Sequence, residues 1–299
     1  MRFSAVDIGS NGVRILFAEV YRNSDGEDVF KKISLLRLPI RLGEDAFVHG
    51  KIRKQRAEKL KKTLSAYKLL NEVYGVVDYR ICATSAMRDA SNSVELRKEI
   101  LKETGLEIEI LKGKEEAEMI YENHVAESLN PKGCYLYVDV GGGSTELSIF
   151  KKGKRLKSES FNIGTLRIKN KIVKDETWIE IKEWLLKYSA KFDPLLIIGT
   201  GGNINRLYKL AKLKDYAPLF YKQLKVLNIE LSKMSQKEKI EQLGLREDRA
   251  DVIVPASEIF LKIMKWTNIS EIMVPKLGLA DGIVHELYNK HQSKIKNTH

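Results

Sequence analysis

One short turn occurs twice in this chain. Val6-Asp7-Ile8-Gly9-Ser10-Asn11 is followed by the apolar alternation Val13, Ile15, Phe17, and Val138-Asp139-Val140-Gly141-Gly142-Gly143-Ser144-Thr145-Glu146 by Leu147 and Ile149. The two aspartates stand 132 residues apart, position 139 against position 7. Each segment reads as a β-strand ending in Asp-x-Gly, a tight turn of small residues and a second strand. Glycine lets the backbone approach a bound anion, and successive N–H groups in such a turn form a concave nest for phosphate oxygens. A carboxylate at the strand tip is a hard oxygen ligand, suited to the Mg²⁺ that travels with phosphate. Two such hairpins predict duplicated halves gripping one phosphorylated ligand.

The surroundings of the turns repeat as well. Strands 2–9, 12–20 and 31–38, with a turn at Asn23-Ser24-Asp25-Gly26, match strands 134–140, 145–151 and 155–162, with a turn at Lys152-Gly153. The first half continues with a helix over about 52–74, where Leu60, Leu64, Tyr67 and Leu70 fall at helical spacing. Strand 78–84, a helix from the Ser91-Asn92 caps to Gly105, strand 106–111 and a helix over about 114–128 follow, closed by Asn130-Pro131-Lys132-Gly133. In the second half, helices at about 176–190 and 203–212 flank strand 195–199. Beyond 215 the pattern is helical, with a last strand at 271–274 and a closing helix at about 279–290. With 299 residues, the expectation is two domains, 1–128 and 129–299, the closing helix being able to pack back on the first.

Composition narrows the class. Hydrophobic residues at 43% and charged residues at 31% describe a globular chain rather than a disordered one. No apolar run approaches the roughly 20 residues that span a bilayer, and the N-terminus opens on a strand without a signal region, so no membrane is expected. Cys82 and Cys134 lie in apolar strands and read as reduced core thiols, which makes the cytoplasm the expected location. Lys and Arg number 52 against 40 Asp and Glu, a balance of +12 that favours a polyanion. The runs Lys51–Lys62, Lys151–Lys157 and Lys290–Lys296 read equally as solvated helix faces and hairpin tips. No RNA-binding signature or zinc-finger spacing is present, so a specific nucleic-acid partner is not expected. The five histidines are scattered and form neither metal spacing nor a triad.

Three further segments carry chemistry-bearing residues. Gly141–Thr145 is neither a P-loop nor a dinucleotide fingerprint, and a glycine triplet alone suits a plain turn as well as a ligand loop. Its pairing with Asp7–Asn11 tips the balance to a ligand. Gly199-Thr200-Gly201-Gly202-Asn203 joins an apolar strand to a helix and reads alike as a simple turn or an anion-binding helix start. Ala83-Thr84-Ser85-Ala86-Met87-Arg88 ends a buried strand, where Arg88 is open to reading as a phosphate clamp or a surface ion pair. Lys112-Gly113-Lys114-Glu115-Glu116-Ala117 opens a helix, and acidic residues there ordinarily complement the helix dipole.

Taken in order, Asp7–Asn11, Ala83–Arg88, Gly113–Ala117, Asp139–Glu146 and Gly199–Asn203, with a weaker echo at Gly278–Gly282, closely resemble the exopolyphosphatase / guanosine pentaphosphate phosphohydrolase family. The resemblance covers nearly the whole chain. It implies an α/β fold of two duplicated ribonuclease-H-like (actin-like) domains with a cleft between them. It also implies Mg²⁺-dependent hydrolysis of the terminal phosphoanhydride of inorganic polyphosphate, or of guanosine pentaphosphate. The family's catalytic glutamate falls on Glu116, leaving the dipole account for Glu115 and Glu118. The implied metal ligands are Asp139 and Glu146, with Asp7 through water. Gly141, Gly142, Gly143, Ser144 and Thr145 would cradle the terminal phosphoryl group, and Ser10, Asn11, Arg14 and Arg88 would bind this phosphate or the next. A homodimer is implied as well. Two departures stand out: Gly12 occupies a turn position where the family commonly has serine, and the chain has the length of the short, two-domain form. A nucleotide-dependent kinase, and a sensor that binds polyphosphate or an alarmone without cleaving it, are the competing classes.

Overall fold

The computed structural model describes residues 1–121, 133–194, 196–275 and 278–296. The chain divides into two compact units, Met1–Asn123 with Leu279–His299, and His124–Gly278. The expected boundary near 128 and the linker residues Asn130, Pro131 and Lys132 lie outside the described residues, as does the end of the helix expected over 114–128; that helix is described over Gly113–Tyr121.

In the first unit, strands β1 (Arg2–Ile8), β2 (Val13–Arg22), β3 (Asp28–Leu38), β4 (Asp78–Ala83) and β5 (Glu109–Ile110) form a sheet in the order β3-β2-β1-β4-β5. The first three are antiparallel because tight turns join them; β4 lies parallel to β1 and β5 to β4, across helical crossovers. Both faces of the sheet are covered, which is why β1 and β2 are nearly continuous apolar runs. Val6, Ile8, Val13, Ile15 and Phe17 pack on one face against Leu42, Leu60, Leu64, Tyr67, Met87 and Leu96 from the helices Leu42–His49, Lys54–Tyr74, Ser85–Asp89 and Ser93–Thr104. The alternate residues Phe3, Ala5, Leu16, Ala18 and Val20 pack against Leu279, Ile283, Val284, Leu287 and Tyr288 of the closing helix, Leu279–Lys296. That helix is pinned at its polar rim, where the Tyr288 hydroxyl donates to Asp28 at 2.7 Å and Lys32 pairs with Asp281 at 2.6 Å.

The second unit repeats this plan. Strands β6 (Cys134–Val140), β7 (Thr145–Lys151), β8 (Lys154–Phe161), β9 (Leu196–Thr200), β10 (Leu219–Phe220) and β11 (Glu271–Met273) stand in the order β10-β11-β9-β6-β7-β8. Read from β8 inward, β8-β7-β6-β9-β11 has the order and strand directions of the first sheet, and β10 is an added antiparallel strand. Leu136, Val138, Val140, Leu147 and Ile149 make its core with the helices Asp175–Phe192, Gly202–Leu210, Tyr221–Lys233 and Ile253–Thr267. Two sheets of this order are the duplicated ribonuclease-H-like fold. Among the described residues no helix is long and apolar enough to cross a membrane.

Several elements differ from the sequence expectation. The helix Leu42–His49 was not foreseen; Arg41 precedes it with a left-handed backbone (φ 59°) and offers no side-chain cap. Strand 106–111 shrinks to Glu109–Ile110, because Leu106, Ile108 and Leu111 are buried without extending the ladder. The closing helix runs to Lys296. Part of the Lys51–Lys62 run also departs from a solvated face. Arg53 and Arg56 bond the fully buried Asp45 at 2.8 and 2.5 Å. The Lys61 ammonium meets Glu99 at 2.7 Å and Glu103 at 2.8 Å, and these hydrogen bonds hold its pKa above the usual lysine value.

Ile283 is fully buried on the closing helix. Truncation to Ile283→Ala is expected to cost the first unit about 2–5 kcal/mol, the range for emptying a core aliphatic site. Denaturant unfolding followed by circular dichroism measures it, and an unmoved transition would mean that the helix does not hold the sheet.

Candidate functional site

The two Asp-x-Gly turns are closed in the same way. The Gly9 N–H donates to the Gly12 carbonyl at 3.2 Å, and the Gly141 N–H to the Ser144 carbonyl at 3.0 Å. Each turn is then braced by the helix that follows its hairpin. Gly43 N–H donates to the Ser10 carbonyl at 2.9 Å, and Leu166 N–H to the Gly142 carbonyl at 2.8 Å. The second turn is held further: Thr165 N–H reaches the Gly141 carbonyl at 3.0 Å, and Arg167 Nε reaches the Gly143 carbonyl at 2.7 Å. The Thr145 hydroxyl is committed to the Ile163 carbonyl at 2.6 Å. With these carbonyls occupied, the N–H groups of Gly142 and Gly143 meet no acceptor among the described residues. Gly164 makes this possible, since a Cβ there would stand 2.5 Å from the carbonyl group of Gly142.

Beside this nest run two carboxylates. Asp139 on β6 is registered against Glu146 on β7, which is registered against Ser160 on β8. Glu146 is 3% exposed, and its Oε1 accepts from the Ser160 hydroxyl at 2.8 Å. Gly201 of the third glycine turn adopts a φ of +99°, and a Cβ there would stand 2.7 Å from Asp139 Oδ1. The second unit therefore gathers Asp139, Gly141–Thr145, Glu146 and the Gly199–Asn203 turn around one point. Among the described residues no group of three or more metal-type side chains forms. Two adjacent hard carboxylates suit Mg²⁺, which is ordinarily held by one or two carboxylates together with waters and substrate phosphate rather than a full protein cage.

The first unit holds the other candidates. Asp7 and Arg14, registered across β1 and β2, form an ion pair at 2.6 Å, so the carboxylate and the guanidinium act as one unit rather than separately. The Ser10 hydroxyl bonds the Ser85 hydroxyl at 2.8 Å, tying the turn to the Ala83–Arg88 segment, and Asn11 lies half-buried at the turn's tip. Arg88 donates to the Leu111 carbonyl at 3.3 Å and approaches Asp89 at 3.7 Å. Glu115 accepts from the Lys112 N–H at 2.8 Å at the start of its own helix, while Glu116 is half-exposed one position on. Cys82 lies beside Asp7 in the sheet; burial pushes its thiol up to about 12, leaving it protonated at neutral pH. Cys134 is likewise buried and free.

Sequence reading missed Ser160, Gly164, Arg167 and the tie between Gly201 and Asp139. Each acts through a partner distant in the chain, and the one signal pointing toward them was the internal repeat.

Paired sheets of this order, each with an Asp-x-Gly turn at the tip of its first hairpin, define the actin-like class of α/β folds. The family model for the Ppx/GppA phosphatase family matches residues 19–291, and the chain belongs to that family. It is 26% identical over 307 residues to Exopolyphosphatase 1 of Mycobacterium tuberculosis, covering 95% of this chain and 87% of that one. It is 27% identical over 316 residues to a bifunctional 3-dehydroquinate synthase/phosphatase of Fusobacterium nucleatum, covering 96% of this chain but spanning only 47% of that longer relative. The crystal structure of the Aquifex aeolicus member of the Ppx/GppA family aligns with a TM-score of 0.76 at 27% identity, covering 97% of this chain and 98% of that one.

Gly201→Ala is expected to push the Asp139 carboxylate aside and strain the turn, lowering Mg²⁺ affinity at least several-fold. Calorimetric titration of Mg²⁺ in the presence of pyrophosphate reads this directly, and unchanged affinity would show that the close approach has no consequence.

Proposed function

We propose that the protein is an exopolyphosphatase, hydrolysing the terminal phosphoanhydride of inorganic polyphosphate and releasing orthophosphate. The observation that carries this reading is the nest of Gly142 and Gly143 N–H groups set beside the registered pair Asp139 and Glu146. Phosphoryl transfer asks a protein chiefly for positioning and charge neutralisation, because its transition state is loose. Fixed backbone donors supply that neutralisation without reorganising during the reaction. The Gly141–Thr145 backbone and Ser144 hydroxyl bind oxygens of the terminal phosphoryl group, while the Thr145 side chain braces the loop through Ile163. Ser10, Asn11, Arg14 and Arg88 bind oxygens of this phosphate or its neighbours. Asp139 and Glu146 would hold Mg²⁺, Asp7 contributing through water, and the metal would supply positive charge at the phosphate oxygens. Glu116 accepts the proton of the attacking water as its oxygen bonds to phosphorus and the bridging P–O bond breaks.

Guanosine pentaphosphate offers the same bond and is the second substrate to weigh, since relatives of this chain include both an exopolyphosphatase and a guanosine-5'-triphosphate,3'-diphosphate pyrophosphatase. The resemblance also carries a homodimer, and the free buried cysteines accord with a cytoplasmic setting, which sedimentation and fractionation test. Lys and Arg side chains in excess draw in the polyanion, an attraction that weakens with salt.

Phosphate release with Mg²⁺ from short and long polyphosphate, guanosine pentaphosphate and ATP tests the assignment. Glu116→Gln is expected to keep substrate binding and lose about 10²–10⁴-fold in turnover, the usual worth of a positioned general base. A variant working at the wild-type rate removes Glu116 from that role. Tight binding with no release from the wild type identifies a sensor instead. Chelation with EDTA should abolish release, and Asp139→Asn should raise the Mg²⁺ concentration required. If Asp139→Asn leaves the metal dependence unaltered, Asp139 shapes the loop and nothing more.

A further inference from the structure

The register of the two sheets equates them residue by residue. Asp7, Arg14 and Arg37 form a row across β1, β2 and β3 at the level where Asp139, Glu146 and Ser160 form a row across β6, β7 and β8. The second row has two carboxylates and a hydroxyl; the first has one carboxylate and two guanidiniums. The turns differ in a matching way. Gly12 closes the first turn as Ser144 closes the second, by the same backbone hydrogen bond. Where a Cβ of residue 12 would stand, Arg37 Nη2 lies at 3.2 Å, Arg37 Cζ at 3.4 Å and the Leu38 carbonyl oxygen at 2.9 Å. The first turn thus has a half-buried guanidinium in the space that a side chain like Ser144 would claim.

We infer that Arg37 is a phosphate-binding residue of the first turn, its guanidinium standing in for the missing turn side chain and donating to an oxygen of a substrate phosphate. Three features carry this. The guanidinium is a planar fork of donors matched to phosphate oxygens, with reach and charge that a serine hydroxyl lacks. Its place beside Gly12 puts it at the turn itself rather than at a distant edge. Its cross-strand neighbour Arg14 is held by Asp7 at 2.6 Å, which fixes a second cation beside it. The two halves have diverged accordingly: the second row suits a cation, the first an anion. Glycine at position 12 and arginine at position 37 then form one solution, because a Cβ at 12 would collide with the Leu38 carbonyl and press on the Arg37 guanidinium.

This inference rests on the phosphate-handling reading above, but its test separates the two. Tripolyphosphate with Mg²⁺ is titrated calorimetrically into the full chain as wild type, Arg37→Ala, Arg37→Gln and Arg37→Lys, with thermal unfolding of each and phosphate release measured alongside. Arg37→Ala and Arg37→Gln should bind about tenfold more weakly, the effect of losing one contact of some 1.4 kcal/mol. Arg37→Lys should recover part of the loss, and KM should rise while kcat stays within about twofold, the mark of a group that holds substrate and transition state alike. Equal affinity in all variants overturns the inference. So does weakening seen only in variants whose thermal midpoint has collapsed, which would mark Arg37 as structural. A wild type that binds tripolyphosphate without releasing phosphate fails as a hydrolase yet leaves Arg37 to be judged by the affinities. A wild type that does not bind overturns both.

Discussion

The carbonyl groups of Gly141 and Gly142 are held by the first amides of the helix Thr165–Lys169, and the character of the second turn follows from that grip. A peptide carries a donor and an acceptor on opposite sides, so fixing the acceptors against protein fixes where the donors point. The Arg167 bond to Gly143 and the Thr145 bond to Ile163 complete the clamp. Each such bond is worth only about 1 kcal/mol net, so the clamp matters less as stability than as orientation. A turn whose donors are aimed by backbone bonds is insensitive to most side-chain changes but highly sensitive to any that part the helix from the turn. Gly164 is where that sensitivity concentrates, because its missing side chain is what allows the two backbones to touch.

Much of this was legible in the chain because it is local. Asp-x-Gly turns between alternating apolar runs announced both hairpins, and their recurrence announced the duplication, which the sheet order and cross-strand register repeat. What the sequence could not show is set by partners far along the chain. Gly201 read alike as part of a simple strand–helix turn or of an anion-binding helix start; its positive φ and its approach to Asp139 exist only once β9 lies beside β6. Ser160 was one polar residue on an edge strand until register placed it against Glu146. The helix Leu42–His49 escaped because its start is set by a left-handed Arg41 and by the Gly43 bond to Ser10 rather than by a capping side chain.

Charge shows the same limit. The Lys51–Lys62 run was open to reading as a solvated face or as a surface for a polyanion, yet Asp45 is fully buried and must be matched, since an unpaired buried carboxylate is costly. Arg53 and Arg56 supply the match, and Lys61 bridges Glu99 and Glu103 from the neighbouring helix. Part of the basic excess is therefore structural, and the polyanion argument is carried by residues at the turns rather than by the total.

The closing helix ties these threads to one face of the first sheet. Successive residues of a strand alternate between faces, so Asp7 and Arg14 lie on the side that carries Phe3, Ala5, Leu16 and Ala18. That is the side on which Ile283, Val284 and Leu287 pack. The helix buries the apolar part of the face, while the Asp7–Arg14 pair occupies the strand ends next to the turn. A sheet with only its other core in place would leave this face apolar and exposed to water beside the pair. Packing of a helix more than 250 positions away, as the Tyr288–Asp28 bond records, thus covers the face of the sheet that carries the Asp7–Arg14 pair. Such a long-range closure is also a slow contact to form, since loop-closure entropy must be met before the burial stabilises it.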